Sequence, residues 1–114
     1  MMNFVNFEAG EKTYKLKMSI TDVINLEKKI GCNPMGIFGL DENNPQMPTV
    51  TDMVAILCHS MQKYEHGITM REAAEIFENW LEDGHQIGEF VPIIFDIFKV
   101  SGIIKGEMSN NEKN

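Results

Sequence analysis

The stretch from Phe90 to Val100, FVPIIFDIFKV, constrains the fold of this chain more than any other segment. Eight of its residues are large and apolar, one is proline, and only Asp96 and Lys99 carry charge. On a helix, the non-hydrophobic residues of this region fall on one narrow stripe, which consists of Glu89, Pro92, Asp96 and Lys99. The other sides of the helix need to be covered by the rest of the chain, by a second copy or by another protein.

Length and composition fit one globular domain. The chain has 114 residues, of which 43% are hydrophobic and 24% are charged, and this is enough for a single core of two layers. We expect this domain to span residues 1–106. Residues 107–114, EMSNNEKN, have nothing substantial to bury, so we expect a disordered polar tail there.

The charge balance indicates which partners the protein can bind, and the termini indicate in which cellular compartment it lies. The formal net charge is −7, and eleven acidic residues face five basic ones after residue 48, so duplex nucleic acid is not an expected partner. The N-terminus lacks the pattern of a signal peptide, and the apolar stretch near the C-terminus is shorter than the roughly 20 residues of a membrane span. We therefore expect a cytoplasmic protein with free thiols at Cys32 and Cys58.

Turn and capping signals divide the chain into a β-hairpin and about four helices. Apolar and polar residues alternate around the turn Ala9-Gly10-Glu11, as in a hairpin with one buried face. The pairs that predict capping boxes at helix starts are Ser19 with Asp22, Thr49 with Asp52, and Thr69 with Glu72. Gly31 and Gly84 predict helix ends. The fold class that follows is α+β, with the hairpin packed on a bundle of about four helices.

Three further signals complete this secondary structure. Asn33-Pro34 predicts the start of a short helical piece. Pro92 is tolerated only near a helix start, so the last helix should begin between Ile87 and Glu89 and end near Ser101-Gly102. The second helix has a predicted apolar face that consists of Val50, Met53, Val54, Leu57, Met61 and Tyr64.

No residue pattern predicts catalysis, a cofactor or a metal site. The histidines and cysteines show no recognised zinc spacing. Cys58 is spaced like a small buried hydrophobic residue, and the neighbouring His59 is expected on a different, solvated side of the same helix. No glycine-rich phosphate loop is present in the sequence. We therefore expect a protein that is not an enzyme and that binds neither a metal nor a cofactor.

Three segments resemble the short tail assembly chaperones of tailed bacteriophages and prophages. They are YKLKMSITDVINLEKKIGCNPMGIF, TDMVAILCHSMQKYEHGIT and FVPIIFDIFKVSGII, and the likeness covers about residues 11–104. The resemblance implies a protein that binds the tape measure protein while the tail tube polymerises, and that is absent from the mature virion. Some relatives also contact the tail tube subunit, self-associate, or have a longer companion made by translational frameshift.

The resemblance assigns no binding residues by position, so the candidates come from the apolar and acidic residues of two helices, where Phe77 and Trp80 are compatible with a core as well as with an interface. A long helical client would be held by apolar anchors with charged flanks. The candidate residues are Glu75, Phe77, Glu78, Trp80, Leu81, Glu82, Phe90, Ile94 and Phe98. Self-association through the apolar sides of the last helix is a further expectation.

The alternative function is that of a small acidic inhibitor of a host nucleic-acid enzyme, whose carboxylates at residues 72–83 imitate the phosphates of nucleic acid. The arrangement of charge separates the two hypotheses. A mimic should present a two-dimensional array of carboxylates, whereas a chaperone should combine an acidic stripe with an exposed apolar groove.

Overall fold

A computed structural model describes residues 3–39, 41 and 43–106 of the protein. Two strands, β1 (Val5–Ala9) and β2 (Lys12–Leu16), are followed by the helices α1 (Ile20–Ile30), α2 (Val50–Met61), α3 (Met70–Glu82) and α4 (Phe90–Val100). Short 3-10 helices at Pro34–Phe38 and Ile87–Glu89 precede α2 and α4, respectively. The predicted α+β class, with an N-terminal hairpin and four helices, is confirmed. The predicted polar tail at 107–114 lies outside the described residues.

The hairpin forms because its alternating residues separate into a buried face and an exposed one. β1 and β2 are antiparallel, and the pair Ala9 and Lys12 encloses a two-residue turn. Gly10 in this turn has φ 65°, a conformation that side chains with a Cβ rarely adopt. Val5, Phe7 and Ala9 of β1 are all buried, so the inner face of the hairpin covers the core.

The predicted starts of the first three α-helices match the structure, with one difference in a capping bond, whereas α4 begins at Phe90 because the residues predicted to start it, Ile87–Glu89, form a 3-10 helix. Ser19 and Asp22 form both bonds of a capping box, and so do Thr69 and Glu72. At the start of α2, the Thr49 side chain accepts a bond from the Asp52 N–H, and this is the only one of the two expected bonds that the structure shows. α1 ends at Gly31 with φ 81°, as expected for a left-handed helix cap.

The central element of the core is α2 rather than α4. Every residue from Met53 to Cys58 is buried, and so are Ser60 and Met61. α2 packs on α1, α3, α4 and β2. Ser60 is fully buried, and its burial is tolerated because its hydroxyl donates a hydrogen bond to the Leu57 carbonyl at 2.9 Å. Val50, predicted on the apolar face of α2, is instead 44% exposed, because it lies in the first turn beyond the packed part of the helix.

The chain buries one side of α4 completely and covers another only in part, because Val91, Ile93, Phe95 and Val100 are half-buried. Phe90, Ile94 and Phe98 are fully buried, and α4 packs on β1 and α2. Asp96, predicted on the polar stripe, is also buried at 7% exposure. In the described part of the chain, every buried side-chain nitrogen or oxygen has a hydrogen-bond partner. A buried carboxylate such as that of Asp96 is tolerated only when it has such a partner. Part of the apolar surface of α4 therefore stays accessible, and self-association through this helix stays a prediction.

Replacing Phe90 with alanine tests whether the start of α4 holds the core together. Phe90 is fully buried against three other aromatic rings. We expect Phe90→Ala to lower the free energy of unfolding by about 3–5 kcal/mol, because it removes a large buried side chain and leaves a cavity. The control is Ile20→Ala, since Ile20 is 72% exposed and should change stability by less than about 0.5 kcal/mol. Urea unfolding measures both, and equal effects would contradict the assigned packing.

Candidate partner-binding surface

Helix α3 has one buried face and one acidic face. Its buried residues are Ala73, Ile76, Phe77 and Trp80. Glu75, Glu78 and Glu82 are exposed on the other side, and we call these three residues the acidic stripe. The stripe has the spacing of residues on one helix face, so the three carboxylates point to solvent together.

The charges of the acidic stripe are mostly left without an ion-pair partner. The Arg71 Nε lies 3.9 Å from the Glu75 Oε2, and both side chains are well exposed. In the part of the chain that the structure describes, neither Glu78 nor Glu82 has a cationic nitrogen within 4.0 Å. An exposed pair such as Arg71 and Glu75 contributes about 0–1 kcal/mol. The stripe is therefore available to a partner at little cost in stability.

The structure corrects the predicted aromatic anchors of this surface. Phe77 and Trp80 are each only 3% exposed. The centre of the Trp80 ring lies 5.6 Å from that of Phe7 and 5.7 Å from that of Phe90. These rings are core residues, so they are not on the surface that a client would meet. Helical spacing alone does not distinguish the two cases, because an aromatic residue at this spacing is compatible with a core or with an interface.

The same correction applies to the predicted anchors on α4. Phe90, Ile94 and Phe98 have no exposed surface in the folded chain. Of the nine predicted partner-binding residues, the three glutamates are exposed and Leu81 is half-buried. These four residues remain part of the candidate surface, and their role in binding stays a prediction.

Exposed apolar side chains lie elsewhere on the molecule, and sequence reasoning missed them. Met47 is 57% exposed and Ile87 is 38% exposed. The Met47 methyl carbon lies 3.3 Å from the position that a Cβ would take on Gly88, the residue that follows Ile87. The excess of methionines in the sequence was the available signal, because exposed methionines suit surfaces that adapt to a partner.

A histidine covers the edge of the core next to α3. The His85 ring stacks on Trp80 with 4.5 Å between the ring centres and an interplanar angle of 6°. The His85 Nδ1 lies 2.9 Å from the Glu89 Oε1, which fixes the ring in this position. The hydrogen bond from His85, followed by that from the Gln86 N–H, lowers the pKa of Glu89 below its ordinary value of 4.5.

The two cysteines differ in exposure, and neither belongs to a metal cluster. Cys32 is exposed, whereas Cys58 is buried, as its spacing predicts. Burial raises the pKa of the Cys58 thiol. Over the described residues, no group of three or more His, Cys, Asp or Glu side chains is placed to hold a metal ion.

His59 does not lie on the separate, solvated side of α2 that the sequence predicts. It is half-buried, and its Nδ1 lies 2.7 Å from the Ala55 carbonyl oxygen. Cys58 and His59 line the same cleft. The difference arises because α1 and the segment after α2 form walls on either side of these neighbouring positions, which the helix alone does not reveal.

A comparison with protein-family models places the chain in a family. The model described as "Family of unknown function (DUF6096)" matches residues 4–113. The chain belongs to this family. Its description assigns no activity or partner, so it adds no residue to the candidate surface. Neither a curated protein nor a solved structure matches the chain. Within the described residues, no helix has both the length and the apolar character needed to cross a membrane.

The difference between the two cysteines leads to a thiol-labelling prediction. With Ellman's reagent at pH 7.5, Cys32 should react rapidly, and Cys58 should react only when the protein is unfolded, because it is 4% exposed and its pKa is raised. The Cys32→Ser variant should therefore show almost no rapid reaction in native buffer. Rapid labelling of that variant would contradict the burial of Cys58.

The contact between His85 and Glu89 leads to a pH prediction. Since folding lowers the pKa of Glu89, its interaction stabilises the fold above about pH 4.5 and is lost as the pH falls through the lowered value. As the pH falls through this lowered pKa of Glu89, we expect the His85 ring to leave Trp80, the single tryptophan, and acrylamide to quench its fluorescence more strongly.

The Glu89→Gln and His85→Ala variants provide the controls for this experiment. Both should show raised quenching already at pH 7, and the quenching should change less on acidification than in the wild type. Wild-type quenching at pH 7 in both variants would show that His85 does not shield the indole.

Proposed function

We propose that this chain is a tail assembly chaperone of a tailed bacteriophage or prophage, which binds the tape measure protein in the host cytoplasm and is absent from the mature virion. The proposal rests on the sequence resemblance over residues 11–104. The structural observation that carries it is the acidic stripe of Glu75, Glu78 and Glu82, three exposed carboxylates on one face of a helix whose other face is anchored in the core.

The mode of binding follows from what α3 exposes. Because Phe77 and Trp80 are buried, charge makes the larger contribution, and the client segment should be a helix with basic residues along one side. The apolar contribution comes from Leu81, in the last turn of α3, and from Ile87, in the 3-10 helix that follows. Such a surface favours fast and reversible association over tight binding, which suits a chaperone that leaves its client.

The rival function, imitation of phosphates, is less well supported by the same surface. The exposed carboxylates of α3 follow a single helix, so they form a line rather than the two-dimensional array that a phosphate mimic needs. The groove between α3 and the hairpin is mostly polar, and Lys12 lines it together with the carboxylates of Glu65, Glu72 and Glu75. This groove is not the apolar groove expected of a chaperone, so the argument for a chaperone depends on the stripe and the apolar residues near its C-terminal end.

Reversing the acidic stripe tests this proposal. The variant Glu75→Lys, Glu78→Lys, Glu82→Lys should abolish co-purification with the tape measure protein, because like charges then face each other. The free energy of unfolding should change little, since exposed pairs contribute about 0–1 kcal/mol and a lysine at position 82 suits the C-terminal end of a helix. Co-expression followed by affinity purification measures the binding, and circular dichroism confirms the fold.

A matched control separates the stripe from a general effect of charge. The double variant Glu78→Lys, Glu82→Lys changes the net charge as much as Glu8→Lys, Glu11→Lys, whose sites lie on the exposed side of the hairpin. Only the first double variant should weaken co-purification. If the folded triple variant still co-purifies fully, the binding site lies off α3. The genomic neighbourhood is an independent check, because the proposal requires a very long coding region for a helical protein near this gene.

A further inference from the structure

A cleft between α1 and the C-terminal half of α2 gathers positive charge on a chain whose net charge is −7. Its volume is about 890 Å³ and it is open to solvent. Lys29 lines it from α1, while Lys63 and His66 line it from the segment that follows α2. We call this groove the cationic cleft. None of the glutamates of the acidic stripe contributes to its lining, but two of its lining residues, His66 and Ile68, also line the groove that Glu75 borders.

The positive charges of the cationic cleft are not neutralised within it. Lys29 and Lys63 are exposed, and neither makes an ion pair within 4.0 Å in the part of the chain described here. Asp22 is the carboxylate in the described lining, and its oxygen already accepts bonds from the Ser19 N–H at 3.0 Å and the Ser19 hydroxyl at 2.9 Å. The cleft is therefore prepared for a negative ligand.

Neutral hydrogen-bond donors also lie in the cationic cleft, beside these cations. Thr21 and Asn25 bring a hydroxyl and an amide to the lining. The Ala55 carbonyl, which can only accept, lies 2.7 Å from the His59 Nδ1, so this nitrogen carries the proton of the neutral ring.

The wall formed by the segment after α2 is held in place before any ligand arrives. The Gln62 Nε2 donates to the Ile68 carbonyl at 2.7 Å, and the Gln62 Oε1 accepts from the Gly67 N–H at 3.1 Å. These two bonds tie together the ends of the loop that carries Lys63 and His66. Ile68 and Met70, both half-buried, add apolar surface to the lining.

We propose that the cationic cleft binds the phosphate group of a small phosphorylated molecule of about nucleotide size. Lysine ammonium groups make strong charge-assisted hydrogen bonds to phosphate oxygens. Pockets for small molecules commonly have volumes of about 300–1,000 Å³, so the cleft has room for more than a bare phosphate. The apolar surface of Ile68 and Met70 covers the uncharged part of such a ligand. This inference does not depend on the proposed chaperone function.

Titration with adenosine 5′-monophosphate, followed by amide chemical shifts in nuclear magnetic resonance, tests the inference. Saturable shifts should be confined to the cleft, at residues 21–29 and 58–70. The variant Lys29→Gln, Lys63→Gln should weaken binding about tenfold, equivalent to about 1.4 kcal/mol for the two contacts together. Lys28→Gln, Lys105→Gln removes the same charge from exposed sites outside the cleft and should bind as the wild type does.

Two further probes identify which part of the ligand the cleft recognises. Adenosine, which lacks the phosphate, should not bind, and equal binding of adenosine would overturn the proposal. Inorganic phosphate should compete at the same residues with lower affinity, because it lacks the apolar contact. Absence of saturable shifts with the monophosphate at millimolar concentration would overturn the proposal, as would equal weakening by both lysine double variants. Circular dichroism melting of each variant confirms that loss of binding is not loss of fold.

Discussion

The packing of four aromatic rings is the interaction on which the rest of the structure depends. Phe7 from β1, Phe77 and Trp80 from α3, and Phe90 from α4 pack with centres 5.2 to 5.8 Å apart. Several of these contacts are edge-to-face, the arrangement that the ring quadrupoles favour. The cluster joins three elements that are far apart in the chain, so it fixes the hairpin and the last two helices relative to each other.

The hairpin shows why this cluster is needed. A two-stranded sheet is at best marginally stable alone. Besides the contacts of Phe7, three hydrogen bonds attach it to helix ends. The Gly10 N–H donates to the Asp83 carboxylate at 2.8 Å, the Lys17 N–H to the Ser60 carbonyl at 2.8 Å, and the Met18 N–H to the Ser101 hydroxyl at 2.9 Å. The hairpin and the helices therefore form one cooperative unit.

Local signals made the elements predictable from the sequence, whereas tertiary placement did not follow from them. The capping boxes at Ser19 and Thr69 depend on residues three apart, so they are visible in the sequence. The burial of Asp96 depends on which neighbours α4 meets, and helical spacing gives no information about them. For the same reason, the sequence located the exposed glutamates of α3 and misplaced its aromatic residues. Helical periodicity separates two faces but does not say what covers the apolar one.

The cationic cleft shows that the sequence also does not predict where charged residues come together in the fold. An excess of acidic residues along the chain argued against binding of duplex nucleic acid, and two lysines with two histidines are still too few for that. Yet Lys29 and Lys63 are 34 positions apart in the sequence, and only the packing of α1 on α2 brings them to one groove. The field at a site depends on nearby charges, since at physiological salt more distant exposed charges are screened beyond about 8 Å. A net charge of −7 therefore describes the whole molecule. The sign of the local charge at each surface depends on which residues the fold brings together there.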